Sequence, residues 1–156
     1  MSTLQAVRAP LPWLYSDGGR KEAGFRGPAG DCATRAIAIA AGMPYREAYD
    51  RVNEICALET GYSRRSRSSA CEGVRTPVMR MVMFSLGWDW HPVMGIGTGC
   101  TMHMAEGEVP DGTLIARLSG HYSAVIGGTV LDAYDPCREG TRCVYGYWTP
   151  QVNHGQ

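Results

Sequence analysis

The apolar pattern of this chain changes its period once, and that change constrains the fold more than any other feature. Between residues 32 and 86 apolar side chains recur with the spacing of helices, whereas from residue 88 onward short apolar runs alternate with turn residues, as strands do. Helices followed by antiparallel strands indicate an α+β domain and argue against alternating β-α units. The length of 156 residues fits one domain with its own core.

We therefore expect a single domain over residues 1–156, with N-terminal helices packed on a C-terminal antiparallel sheet. Residues 1–30 carry prolines and glycines without periodicity, which predicts an irregular N-terminal arm. The predicted helices cover 33–41, which ends at Gly42, the amphipathic segment from Tyr45 to Cys56, and 76–86. The predicted strands cover 88–94, 113–118, 121–126, 129–134 and 143–148.

A cysteine lies where a loop rich in glycine and proline gives way to the alanine-rich first helix. Cys32 follows Gly30 and Asp31, and Asp31 is a favourable N-cap whose charge Arg35 offsets from one turn later. The unpaired N–H groups and the positive end of the dipole at a helix N-terminus favour thiolate over thiol. The position is therefore typical of a cysteine nucleophile.

The hairpin around Gly127-Gly128 supplies the partners that such a nucleophile needs. If these two glycines form the turn, His121 and Asp132 lie on the same face of the sheet as diagonal neighbours. His121 is then the expected general acid and base, and the aspartate orients its imidazole. Asp135 has the opposite parity in a regular strand, but Pro136 indicates that the strand ends there, so Asp135 remains a second candidate.

These motifs resemble those of papain-like cysteine peptidases over about residues 25–150. The features that carry the resemblance are Gly30-Asp31-Cys32 at the start of a helix, Ser119-Gly120-His121 at the start of a hairpin, and the closing Leu-Asp-Ala-Tyr-Asp-Pro. The chain looks most like the compact bacterial type that trims bacteriocin leaders, and it is similar to small phage and bacterial proteins of uncharacterised function. The Asp-Pro at the end of the hairpin favours Asp135 as the third residue.

The expected function is that of a thiol hydrolase, a peptidase or amidase acting on a peptide or protein substrate without a cofactor or metal. The backbone N–H of Cys32 would bind the oxyanion, with a second donor from Arg26 or from the backbone near Gly30 and Asp31. Gly120 and His103 are expected to border the substrate groove. The Gln that usually precedes the catalytic cysteine in papain-like peptidases is missing here. The alternative is therefore an inactive papain-like interaction module, of phage origin, that binds a host protein.

Composition narrows the remaining classes of function. Fifteen basic and fifteen acidic residues cancel, so we expect no nucleic-acid partner, although Arg64, Arg65, Arg67 and Arg75 lie close together in the sequence. No apolar run is long enough for a membrane span, and the first residues lack the apolar segment of a signal peptide. We expect a cytoplasmic protein with reduced cysteines.

A zinc-stabilised nucleic-acid binder is the third hypothesis. Cys100 and His103 have the spacing of a metal half-site, and Cys137 and Cys143 could supply two more ligands. The spacing between the two halves is irregular, so the sequence favours incidental thiols in a glycine-rich loop over a zinc site.

Overall fold

The computed structural model describes residues 8–27, 29–59 and 67–152, and within these ranges it contains three helices and one six-stranded sheet. The helices are α1 (Cys32–Ala41), α2 (Tyr45–Cys56) and α3 (Thr76–Ser85). The strands are β1 (Trp13–Tyr15), β2 (Trp88–Pro92), β3 (Thr113–Leu118), β4 (His121–Ile126), β5 (Thr129–Asp132) and β6 (Gly146–Pro150). The α+β class is confirmed, and the strands lie in the order β1-β5-β4-β3-β6-β2.

The ends of α1 are set by local sequence. The helix begins at Cys32 and ends before Gly42, whose φ of 65° is in the left-handed region that glycine adopts without strain. The N–H groups of Gly42 and Met43 bond to the carbonyls of Ile39 and Ala38, which satisfies part of the last turn. α1 packs on β4 and on α2, so its N-terminus is held against the sheet.

The predicted β4–β5 hairpin is confirmed, including its register. Gly127 and Gly128 both have positive φ angles, as a tight two-residue turn requires, and Ile126 pairs with Thr129. β5 ends at Asp132, two residues before the predicted end at Tyr134. The residues after Asp132 are therefore no longer part of the strand.

The sheet is mixed, which corrects the expectation of a purely antiparallel sheet. Strand β1 pairs in parallel with β5, with Trp13 opposite Val130 and Tyr15 opposite Asp132. The arm predicted to be irregular therefore supplies an edge strand, while residues 1–7 and 28 of that arm lie outside the described residues. A strand of three residues is too short to show alternation in the sequence, and its partner lies more than a hundred residues away.

Apolar side chains fill both faces of the sheet. On one face the helices cover Ile115, Ala124 and Trp148, and on the other face Leu114 and Val125 pack with residues from the connecting loops. Neighbouring residues of one strand thus belong to different clusters, as the two-residue period of a strand requires. The helical layer places α1, and with it Cys32, next to β4.

A disulfide joins Cys100 to Cys143, which corrects the expectation that all the cysteines are reduced. An isolated bridge between His103 and Cys143 brings the long β2–β3 connection against the segment before β6. The zinc hypothesis grouped Cys143 with Cys100 and His103, but sequence spacing does not predict a disulfide between two cysteines that are 43 residues apart. Cys56 is buried in the core, as predicted from its place on the apolar face of α2.

Of the basic loop predicted over 61–73, residues 61–66, with Arg64 and Arg65, lie outside the described residues, whereas residues 67–73 are described. Across the ranges that are described, no helix combines the length and the apolar character needed to cross a membrane.

We predict that replacing Trp148 by alanine lowers the free energy of unfolding by about 3–5 kcal/mol, because the side chain is almost completely buried. Its ring centroid lies 4.3 Å from that of Trp90 and 5.8 Å from that of Tyr122. Urea unfolding followed by far-UV circular dichroism measures the change. The control is Phe84→Ala, since Phe84 is 83% exposed and its loss should cost no more than about 0.5 kcal/mol. Equal effects of the two substitutions would contradict the described packing.

Candidate active site

Three side chains meet because three elements begin or end at the same place. Cys32 is the first residue of α1, His121 the first of β4 and Asp132 the last of β5. An oxygen of Asp132 lies 2.7 Å from Nε2 of His121, and His121 lies close enough to Cys32 to lower the pKa of its thiol. Nε2 of the imidazole faces the carboxylate, so Nδ1 lies on the other side of the ring. The structure thus brings together Cys32, predicted from its place at the helix start, and the two residues that the hairpin register selected.

Asp135 takes no part in this cluster. Its Oδ1 accepts the backbone N–H of Cys137 at 2.9 Å, which closes a local turn after β5. The parity of the hairpin, and not the Asp-Pro motif, therefore identifies the carboxylate that contacts His121.

Asp132 is held by several donors besides the imidazole. Ser123 donates its hydroxyl to Oδ2 at 2.7 Å, the N–H of Ala133 bonds to Oδ1 at 2.7 Å, and Nη2 of Arg35 lies 3.5 Å from Oδ1. Burial alone would raise the pKa of Asp132, but the bonds from His121 and Ser123 outweigh it and hold the pKa below its usual value. The carboxylate is therefore ionised and fixed in orientation.

The surroundings of Cys32 favour its thiolate. Burial opposes the charged form, yet the hydrogen bond and the positive charge of His121 hold the pKa of Cys32 below its ordinary value, helped by the backbone of Tyr122 and by Arg35. The pKa of His121 moves the other way, because burial is outweighed by its bonds to Asp132 and Cys32. Both shifts are in the direction that favours an imidazolium–thiolate pair.

Tyr134 contacts the imidazole of His121 directly, and the predicted hairpin register places these two residues opposite each other. Its hydroxyl lies 3.0 Å from Nδ1 of His121, and the centroids of the two rings are 5.0 Å apart. Tyr134 lies two residues beyond the end of β5, at the position that a continued register would place opposite His121. The phenol of Tyr134 therefore lies beside His121 in the lining of the same cavity.

Asp31 occupies the N-cap position, but its side chain does not cap the helix. The buried carboxylate instead accepts the hydroxyl of Tyr45 at 2.6 Å and pairs with the guanidinium groups of Arg35 and Arg20. These partners neutralise a charge that lies next to Cys32 and would otherwise oppose its thiolate.

Two of the expected oxyanion donors are occupied or placed elsewhere. The N–H of Gly30 donates to the carbonyl of Cys71 at 2.7 Å, and a Cβ on Gly30 would lie 2.7 Å from the carbonyl oxygen of Glu72. Glycine is thus required here for close backbone approach. Arg26 lines a neighbouring cavity with Tyr15 and not the cavity at Cys32. The N–H of Cys32, at the first position of α1, remains the donor that helix geometry supplies.

A groove of about 560 Å³ opens beside Cys32 and His121. Gly120 borders it in the β3–β4 turn, as expected, where its φ of 64° suits glycine. The groove is lined by residues 29–32, 72–76 and 117–122 together with Arg35, Tyr134 and Tyr145. Its volume lies within the range of about 300–1,000 Å³ found for ligand sites.

His103 lies outside this groove, contrary to the expected role. Its Nδ1 is 2.9 Å from an oxygen of Glu108, and its Nε2 is 3.3 Å from Sγ of Cys100. The residue belongs to the disulfide region, not to the Cys32 site.

Two contacts of Asp132 differ in how far the sequence indicates them. The hairpin register that places His121 near Asp132 also places Ser123 opposite Asp132, so the Ser123 contact follows from the sequence pattern. Arg35 was expected to pair with Asp31, but no local signal indicates that it also reaches Asp132 from another element.

The chain matches no protein-family model, no curated protein and no solved structure. What the site can do is therefore argued from its own geometry.

We predict that iodoacetamide alkylates Cys32 at a pH below the value of about 8.5 that an ordinary thiol requires. Burial raises the pKa of Cys56 to about 11 and, with Asp135, that of Cys137 to about 12, so these thiols serve as unreactive internal controls. In His121→Ala the burial of Cys32 is no longer opposed by the imidazole, and its alkylation should shift to higher pH. Mass spectrometry resolves each site. A Cys32 profile that does not change in His121→Ala would contradict the pair.

We also predict that Arg35→Met lowers the free energy of unfolding by about 3 kcal/mol or more, because it removes a cation shared by two buried carboxylates. Cys32 should also react more slowly, since the Arg35 charge supports its thiolate. The control is Arg51→Met, which removes a half-exposed arginine 4.0 Å from Glu54 and should cost at most about 0.5 kcal/mol. Urea unfolding compares the two variants, and similar losses would refute the role given to Arg35.

Proposed function

We propose that the chain is a cysteine hydrolase with a papain-like arrangement, acting on a peptide or amide bond. The observation that carries the proposal is the contact series Cys32–His121–Asp132 at the edge of a groove, with pKa shifts that favour thiolate and imidazolium. Such shifts in a cleft, caused by burial and a specific charged partner, are characteristic of catalytic groups.

Acylation follows from the roles of these groups. The Cys32 thiolate attacks the carbonyl carbon, a C–S bond forms, and the carbonyl oxygen becomes an oxyanion beside the N–H of Cys32. The His121 imidazolium gives its proton to the amine nitrogen as the C–N bond breaks, which leaves a thioester and a neutral imidazole. Asp132 holds the ring through Nε2 during this transfer, so Nδ1, which the hydroxyl of Tyr134 also contacts, is the nitrogen that gives up the proton.

Deacylation reverses the direction of proton transfer. The neutral His121 takes a proton from water, the water oxygen attacks the thioester carbon, and the Cys32 thiolate leaves as the C–S bond breaks. The carboxylic acid departs and the ion pair is restored. No cofactor enters the balance of either half-reaction.

The placement of the nucleophile supports the papain-like arrangement in particular. A central helix carries the cysteine on its first turn and packs on the strand that begins with the histidine. A hydrolase of this size with a groove of about 560 Å³ suits a short stretch of extended peptide or a small amide.

Substitution at the three positions should separate catalysis from binding. With a mixture of synthetic peptides and small amides as substrates and mass spectrometry as readout, we expect cleavage by the wild type. Cys32→Ala and His121→Ala should abolish it, and Asp132→Asn should reduce the rate by about 10²- to 10⁴-fold because the imidazole loses its orienting carboxylate. Asp135→Asn is the matched control and should retain the wild-type rate, because Asp135 bonds elsewhere.

The opposite results would favour the second hypothesis, a non-catalytic interaction module on the same fold. Cleavage that persists in Cys32→Ala, or a wild type that cleaves nothing while Cys32 shows the reactivity of an ordinary thiol, would overturn the hydrolase proposal.

A further inference from the structure

A second cluster of thiol, imidazole and carboxylate lies outside the groove. Within the described residues, the side-chain ligand atoms of Cys100, His103 and Cys143 all lie within 4.8 Å of one another. Nδ1 of His103 is 2.9 Å from Glu108, so its other nitrogen, Nε2, faces the sulfurs and lies 3.3 Å from Sγ of Cys100. A disulfide that only stabilises the fold does not require an imidazole nitrogen beside its sulfur, so the position of His103 indicates a second role for this cluster.

The donor set has the composition that zinc prefers. Zn²⁺ takes thiolate sulfur and imidazole nitrogen in tetrahedral sites, with bonds of about 2.3 Å and 2.0 Å, which place neighbouring ligand atoms roughly 3.5–3.8 Å apart. The observed separation of 3.3 Å between Cys100 Sγ and His103 Nε2 is close to that spacing. A zinc-ligating histidine characteristically donates its other N–H to a carboxylate, which is the place of Glu108 here.

The cluster is held by backbone bonds that do not depend on the S–S bond. The N–H of Met104 donates to the carbonyl of Arg142 at 2.8 Å, and that of Val144 donates to the carbonyl of Met102 at 2.9 Å. These two bonds flank the bridge between His103 and Cys143 and fix the two segments side by side. With the disulfide reduced, the ligands therefore remain near one another, and a site that is already assembled loses little entropy on binding a metal.

We propose that the reduced Cys100–Cys143 pair and His103 bind one Zn²⁺, and that oxidation to the disulfide closes the site. A thiol reductant converts the S–S bond to two thiols and is itself oxidised to a disulfide. Zn²⁺ then replaces the two thiol protons, which pass to solvent, and binds both sulfurs and Nε2 of His103. The three residues leave the fourth tetrahedral position to water or another exogenous ligand. Glu108 is a positioning residue that orients the imidazole through Nδ1.

The test uses the full chain, reduced with a phosphine that is then removed under inert gas. Co²⁺ serves as a spectroscopic probe for sulfur ligation, and competition with a chromogenic chelator gives the Zn²⁺ affinity. We expect one metal per chain with sulfur-to-cobalt charge-transfer absorption in the reduced protein, and none after oxidation. The affinity should fall at least 100-fold in Cys143→Ser and about 10- to 100-fold in Glu108→Gln.

Cys32→Ala is the matched control, since it removes the other thiol that faces an imidazole and should leave the affinity unchanged. Glu108→Gln changes a partly exposed side chain and keeps the test decisive if Cys143→Ser fails to fold. The proposal is wrong if the reduced protein shows no sulfur-ligated Co²⁺, or if His103→Ala binds as tightly as the wild type. Loss of the metal in Cys32→Ala would also overturn it, because the ion would then belong to the Cys32–His121 pair.

Discussion

The buried guanidinium of Arg35 is the interaction on which the arrangement of the site depends. It pairs with Asp31 at the start of its own helix and reaches Asp132 at the end of β5. Buried carboxylates are costly without a partner, so both aspartates restrict where the helix can lie against the sheet. Cys32 is carried on that helix and His121 lies beside Asp132. The same ionic contact that joins helix to sheet therefore also positions Cys32 relative to His121.

Asp31 and Asp132 both lie near Cys32, yet the structure gives their charges different effects. Asp31 is surrounded by Arg35, Arg20 and the hydroxyl of Tyr45. These partners neutralise its charge, so it has little effect on the sulfur of Cys32. The charge of Asp132 passes through the imidazole, where it raises the pKa of His121 and thereby favours the thiolate. An acidic residue directly before Cys32 is tolerable for this reason, since its partners lie in the same helix, in α2 and in the N-terminal arm.

How much could be predicted from the sequence depended on how far apart along the chain the interacting residues are. The end of α1 at Gly42, the hairpin at Gly127-Gly128 and the choice of Asp132 follow from local conformational rules and from parity along two adjacent strands. The parallel β1–β5 pair, the disulfide and the contact between Arg35 and Asp132 join segments far apart in the chain. No spacing rule connects such segments, because their approach is decided by packing of the whole domain. The contact between Tyr134 and His121 agrees with the same register, whereas the end of β5 at Asp132 was not predicted from the alternation of residues 129–134.

Within the described residues, a cysteine, a histidine and a carboxylate lie together in two places, and the surroundings distinguish the two. At the first site the sulfur of Cys32 is outside any disulfide, lies on the first turn of a helix and borders a groove. His121, together with the backbone of Tyr122 and Arg35, favours the charged form of this sulfur. At the second site a disulfide joins Cys143 to Cys100, and both sulfurs lie near His103. In both places a carboxylate orients the histidine. The number of sulfurs beside the imidazole distinguishes the nucleophile that we propose at Cys32 from the disulfide, and the metal site that we propose, at Cys100 and Cys143.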